Sequence, residues 1–183
     1  MKAGKNMVYT CRYKSPLGDT LLAADEIGLT GLWFEGQKYF ANTLPKDHIP
    51  QETEILTEAK KWLDVYFSGE EPKFTPLLHP TGSVFRQEVW KILLQIPYGQ
   101  TITYGEIARR ISEIKKTSHM SAQAVGGAVG HNEISIIIPC HRVVGTNGSL
   151  TGYAGGIDRK ISLLKLEHTD MSRLFVPKKG IAL

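Results

Sequence analysis

Cysteine is nearly missing from this chain: Cys11 and Cys140 are the only two among 183 residues. Two thiols so far apart suggest neither a disulfide framework nor a CxxC metal frame, and a reducing compartment is expected. Long apolar runs are missing as well. No stretch approaches the roughly 20 residues that a membrane helix requires, and the opening MKAGKNMVYT lacks the apolar core of an export signal. The expectation is a soluble, intracellular, cytoplasmic protein with no membrane partner. Internal repeats and low-complexity tracts do not occur. Excess charge is small at +4 overall, but it is unevenly spread: Lys and Arg minus Asp and Glu comes to −2 over residues 1–82 and +6 over residues 83–183. A basic half can attract polyanions, although surfaces that bind nothing carry as much.

What is present is ample apolar material, 42% of residues, enough for one large domain or two small ones. Residues 8–13, 20–24 and 29–34 are short β-rich runs separated by SPLG and DEIG turns, which predicts an antiparallel meander. Ile55, Ala59, Trp62, Leu63, Tyr66 and Phe67 recur at helical spacing until Ser68-Gly69, so a helix should cover one face of that sheet. Residues 68–82 hold prolines at 72, 76 and 80, which disfavour a helix and stiffen the connection. The domain boundary is placed there, giving residues 1–82 and 83–183.

Beyond it, Phe85, Val89, Ile92, Leu93 and Ile96 form a helical stripe. Thr103 and Glu106 make a T-x-x-E capping box that opens a helix through about Ile111, and residues 112–119 read as a loop. A further helix starts at Ser121 and carries Ala122, Ala124, Val125, Ala128 and Val129. Two short helices joined this way suggest a helix-turn-helix, which delivers its second helix to DNA, but ordinary core pairs look the same. Gly126 and Gly127 in that helix each disfavour it by about 1 kcal/mol against alanine. Either a DNA backbone or a neighbouring helix must come close. The run at 134–138 reads as a buried strand or extended segment.

Cys140 stands at the end of that run in IIIPCHRV. A free thiol, with a pKa of about 8.5, is mostly protonated at neutral pH and needs a base or cation to become a nucleophile. His141 and Arg142 are adjacent. In extended chain neighbouring side chains point apart, so Cys140 and His141 can cooperate only across a turn or through a water. A lone cysteine is otherwise a small buried hydrophobe. The Gly-rich TNGSLTGYAGGIDRK could wrap a flat ligand, with Tyr153 as its aromatic, or be a plain surface loop. Glu167 closes the helical run ISLLKLE and could orient a histidine or merely face solvent.

Taken together, ITYGEIA (102–108), AVGGAVGHN (124–132), IPCHRVVG (138–145) and GYAGGIDRKISLLKLE (152–167) give the chain its resemblance to the O6-alkylguanine-DNA alkyltransferases, the methylated-DNA–protein-cysteine methyltransferases. The resemblance spans about residues 83–168, with a fainter echo at 15–34. It implies an α+β fold: a small N-terminal α/β domain, ribonuclease H-like, and a mainly helical C-terminal domain with a winged helix-turn-helix. It also implies direct DNA repair in which Cys140 takes an alkyl group from O6 of guanine, irreversibly, with no cofactor and no metal. Thymine O4 and the range of alkyl sizes stay open. The partner would be double-stranded DNA carrying O6-alkylguanine, met by a monomer.

By the same resemblance His141 is the base for Cys140 through a water, Glu167 orients His141, and Asn132 ties the helix pair to the active-site segment. Tyr104 would rotate the nucleotide and assist protonation of the leaving guanine. Carbonyls of Cys140 and Val143, the ring of Tyr153, the amide of Ala154 and the nearby Lys160 would meet the base. DNA contacts would fall on Gln123, Ala124, Gly126, Gly127 and Arg142. Two departures stand out: Gln123 occupies a place where the family often has arginine, and the loop at 112–119 looks longer than in several relatives. Rival readings are a DNA-binding sensor without chemistry and a cysteine hydrolase that turns over.

Overall fold

The computed structural model describes residues 6–178. Its architecture is α+β. Three strands, β1 (Tyr9–Ser15), β2 (Gly18–Ala24) and β3 (Leu29–Phe34), form the expected meander, with Tyr9 opposite Ala24 and Ser15 opposite Gly18. The first turn is closed by the Ser15 hydroxyl, which donates to the Gly18 carbonyl and accepts from Leu17 N–H. A two-residue strand, β4 (Ile49–Pro50), runs parallel to β1 and sets the order β3-β2-β1-β4. Such a short strand leaves no periodic signal in the sequence, and it was not expected.

Side chains alternate across the sheet. Leu22, Ala24, Leu29, Leu32 and Phe34 enter the main core, whereas Val8, Ala23 and Trp33 form a small cluster on the other face with Leu44 and Ala41. Helix α1 (Glu54–Phe67) covers the main face with Leu56, Ala59, Trp62, Leu63 and Tyr66. Thr53 caps it by accepting from Leu56 N–H. Burying each large apolar side chain stabilises the fold by roughly 1.5–3 kcal/mol.

The proline-bearing connection is pinned rather than free. Leu29 N–H donates to Leu77 O and His79 N–H to Leu29 O, at 2.7 and 2.8 Å. Gly28 permits this approach, since a Cβ there would lie 2.8 Å from Leu77 O. The chain then enters α2 (Val84–Leu93), β5 (Ile102–Thr103), α3 (Tyr104–Lys115) and α4 (Ala122–Gly130). Helices α3 and α4 pack as a helix-turn-helix. Thr103 caps α3 through Glu106 N–H, but the Glu106 carboxylate pairs with Arg109 and Arg110 instead of reaching back. Arg109 also pairs with Glu113. These spacings favour helix, so α3 runs four residues past Ile111 and the joining loop is shorter than 112–119.

The segment at 134–138 also departs from expectation. It is not a strand: Ile134 bridges Leu32 of β3, and turns follow. Leu32 N–H donates to Glu133 O and Ser135 N–H to Leu32 O, which ties the C-terminal half to the sheet edge. Ile136 takes a left-handed φ of 69°, unfavourable for a β-branched residue. Full burial of Ile134, Ile136 and Ile138 holds it there. One 3-10 turn, Cys140–Arg142, leads into β6 (Val143–Val144), parallel to β5, and α5 (Ile157–Leu166) closes the fold. Among the described residues, no helix is long and apolar enough to cross a membrane.

Candidate active site

The turn at Cys140 answers the problem posed by an extended chain, because consecutive residues of a 3-10 turn diverge by less than strand neighbours do. Cys140 is buried, and Asn132 donates from Nδ2 to its Sγ at 3.0 Å. The same amide donates to Ile138 O at 2.8 Å and Ile134 O at 3.2 Å, while Asn132 Oδ1 accepts from Ile134 N–H at 3.0 Å. Since Asn132 lies just past α4, that helix and the thiol share one anchor. Burial pushes the Cys140 thiol above its ordinary pKa; the Asn132 hydrogen bond and the Lys160 charge oppose that shift without cancelling it. The thiol therefore rests protonated and needs a base.

Lys160, fully buried in α5, donates from Nζ to Val143 O at 2.5 Å and to Thr151 O at 2.8 Å. Desolvation brings its pKa down to about 8, and the neighbouring Cys140 works in the opposite direction. It braces the strand after Cys140 against the Gly-rich loop.

His141 is buried completely, with Nε2 2.6 Å from Glu167 Oε1. Burial lowers its pKa, against the raising influence of Glu167. Glu167 stands just past α5. Burial alone would raise its pKa, but hydrogen bonds and charge from His141, then from Arg142, bring it down to about 2. An ionised carboxylate can only accept, so His141 carries its proton on Nε2. Nδ1 is left as the basic nitrogen, and it makes no hydrogen bond to another protein group.

Around Glu167, Oε1 also accepts from Tyr66 Oη at 2.7 Å and Arg142 Nη2 at 3.0 Å. Oε2 accepts from Arg142 Nε at 2.8 Å and Gly99 N–H at 3.3 Å. Arg142 Nη1 donates to Ile96 O. The expected DNA contact at Arg142 is thus corrected: the side chain is buried and its donors are spent inward on Glu167 and Ile96. Tyr66 is the site residue that sequence reasoning missed. Its ring fits the apolar stripe of α1, and only the choice of tyrosine over phenylalanine at a fully buried position hints at a hydroxyl partner.

Tyr104 opens α3 and its hydroxyl reaches Thr151 O and Gly152 O, each at 3.3 Å; burial raises its pKa. The Tyr153 ring lies edge-on to His141, with centroids 6.4 Å apart. Its hydroxyl is buried beside Ser135 without a hydrogen bond of ordinary geometry. Ala154 is tied by its carbonyl to Lys38 N–H at 3.0 Å. An open groove of about 290 Å³ runs between Tyr104, Gln123, Gly126 and Thr151. Gln123 and Ala124 are exposed on α4, Gly126 is buried and Gly127 is half-buried. A Cβ on Gly127 would meet nothing within 4 Å, so packing inside this chain does not require that glycine. Among the described residues no group of His, Cys, Asp and Glu is arranged to hold a metal.

Both halves of the chain match known proteins. Residues 7–78 match the 6-O-methylguanine DNA methyltransferase, ribonuclease-like domain, and residues 84–169 match the DNA binding domain of the same family. A methylated-DNA–protein-cysteine methyltransferase from Methanosarcina acetivorans is 46% identical over 161 residues, 87% of this chain and 98% of that protein. One from Haemophilus influenzae is 42% identical, covering 87% and 86%. The crystal structure of Mycobacterium tuberculosis OGT in complex with DNA aligns at a TM-score of 0.77 with 42% identity, over 91% of this chain and 94% of that one. On these matches the chain belongs to the 6-O-methylguanine DNA methyltransferase family.

Proposed function

We propose that this protein repairs DNA directly, moving an alkyl group, methyl above all, from O6 of guanine to Cys140 once per molecule. The observation that carries this reading is the lock of Glu167 on His141 Nε2, which leaves Nδ1 as the only nitrogen that can take the thiol proton. One water between Nδ1 and Sγ suffices for that transfer. The thiolate then attacks the alkyl carbon in line. A carbon–sulfur bond forms, the carbon–O6 bond breaks, and its electron pair goes to the guanine, which takes up a proton with the help of the Tyr104 hydroxyl. The thiol proton is thereby replaced by the alkyl group and the guanine regains a proton. A thioether at saturated carbon has no easy hydrolytic exit, so the protein is spent.

A base inside duplex DNA is out of reach of a buried thiol, and the nucleotide must be extruded at a cost of a few kcal/mol. The groove between Gln123, Gly126 and Tyr104 lies beside the start of α4, where the backbone would be met. Gln123 fills the vacated stack from the exposed start of α4, Ala124 and Gly127 let the backbone approach, and Gly126 lies beneath. Carbonyls of Cys140 and Val143 read the guanine amino group, Tyr153 packs along the base and the Ala154 amide faces O6. The chain divides near residue 82 into a supporting half and a half that binds DNA, and it acts as a monomer in the cytoplasm without a cofactor.

Mass spectrometry after incubation with O6-methylguanine duplex tests this. The reading requires one added methyl on the Cys140 peptide and none in Cys140→Ser. A folded, DNA-binding protein that stays unmodified would sink it.

A further inference from the structure

The ribonuclease-like half reaches the Glu167–His141 pair through Tyr66. Tyr66 of α1, fully buried, donates to Glu167 Oε1 at 2.7 Å and places its hydroxyl oxygen 3.5 Å from His141 Nε2. Burial first, and the Glu167 charge second, keep this phenol far too weak an acid to ionise, so it is a permanent donor. Its ring has no freedom to swing away: it stacks on Trp62 at 5.2 Å and meets Phe67 and Tyr98 edge-on. A second Glu167 contact, Arg142, is held in turn by Ile96 O. The hydroxyl is therefore aimed at an oxygen that His141 also uses, from an element far away in sequence.

Resting on the transfer reading above, we propose that Tyr66 is a positioning residue for alkyl transfer: its hydroxyl fixes Glu167 Oε1 and moderates its negative charge, so that His141 is held with Nδ1 free and yields its acquired proton readily. A carboxylate oxygen stripped of this donor presents more charge to the imidazole and stabilises the imidazolium. His141 would then titrate at higher pH, and less of it would be free base near neutrality. This gives the N-terminal half a chemical part in the reaction as well as a supporting one.

The test uses the full chain and single-turnover methyl transfer from O6-methylguanine duplex across a range of pH. Tyr66→Phe keeps the ring contacts and removes only the hydroxyl. We expect the rate on the acid side of the profile to fall about threefold for a half-unit displacement, and by less at neutral pH. The acid limb of the profile should move to higher pH by about half a unit or more. Site-specific 3-fluorotyrosine in place of Tyr66, a stronger donor with the fold intact, should move the limb to lower pH; it also serves if the phenylalanine variant does not fold. An NMR titration of the His141 ring without DNA should show the same displacements. Limbs that stay in place, or a rate lowered by one factor at every pH, would overturn the role of Tyr66. Failure of the wild-type protein to transfer methyl would instead overturn the transfer reading, and the DNA-free titration separates the two.

Discussion

Replacing Glu167 by glutamine removes one charge without changing shape, and the donors around the carboxylate make that loss expensive. Tyr66, His141 and Arg142 donate to Oε1, while Arg142 and Gly99 donate to Oε2. Glutamine offers one carbonyl oxygen and one NH2. In either orientation the NH2 hydrogens face other hydrogens, and the buried Arg142 loses its counter-charge. Removing one partner of a buried ion pair costs about 3–5 kcal/mol. A second route gives a similar figure: a carboxyl held at about 2 instead of 4.5 contributes about 3 kcal/mol by linkage, at about 1.36 kcal/mol per unit.

The sign of the pH dependence comes from the depressed folded-state pKa. Wild type has the full contribution above 4.5 and loses it as pH falls toward about 2, with more than half gone by about pH 3. Glu167→Gln lacks it throughout. Urea and thermal unfolding at neutral pH should therefore show a deficit of about 3 kcal/mol, or about 10 °C in Tm for a chain of this size. The gap should narrow as both proteins are taken to acid. Equal stability at neutral pH, or a deficit that does not change with pH, would refute the assignment of charge to this network.

Two further substitutions probe the DNA face and the thiol. Gln123→Arg adds a cation at the exposed start of α4, and repair of duplex substrate in a stopped-flow assay should become faster; an equal or slower rate counts against a stacking role for this position. Lys160→Met removes the charge that favours the Cys140 thiolate, so alkylation by iodoacetamide should need higher pH than in wild type. In wild type that help fades as Lys160 itself deprotonates near about 8, whereas a profile identical in the two proteins would remove Lys160 from the chemistry of the thiol.

Much of this was legible because local rules agreed with one another. The meander shows alternation and turn residues, α1 shows a stripe ending at Ser68 and Gly69, and Thr103 and Ser121 announce the helices they cap. Strand geometry alone leaves Cys140 and His141 to cooperate across a turn or through a water, and a 3-10 turn stands there. Where the reading failed, partners distant in sequence decided the outcome. The run at 134–138 looks like a strand, but the Asn132 side chain and Leu32 take its backbone hydrogen bonds. Arg142 looks like a surface cation beside a DNA-binding helix, yet a carboxylate 25 residues later draws it inward. Tyr66 shows its ring in the helical periodicity and hides its hydroxyl, whose partner lies 101 residues away.

The measurement that bears most directly on the central claim is the extent of repair at rising protein concentration, with O6-methylguanine duplex held in excess. Stoichiometric capture by Cys140 predicts a plateau of one lesion removed for each protein molecule, proportional to protein and unmoved by longer incubation. Continued removal past that plateau, or removal of lesions by Cys140→Ser, would contradict it.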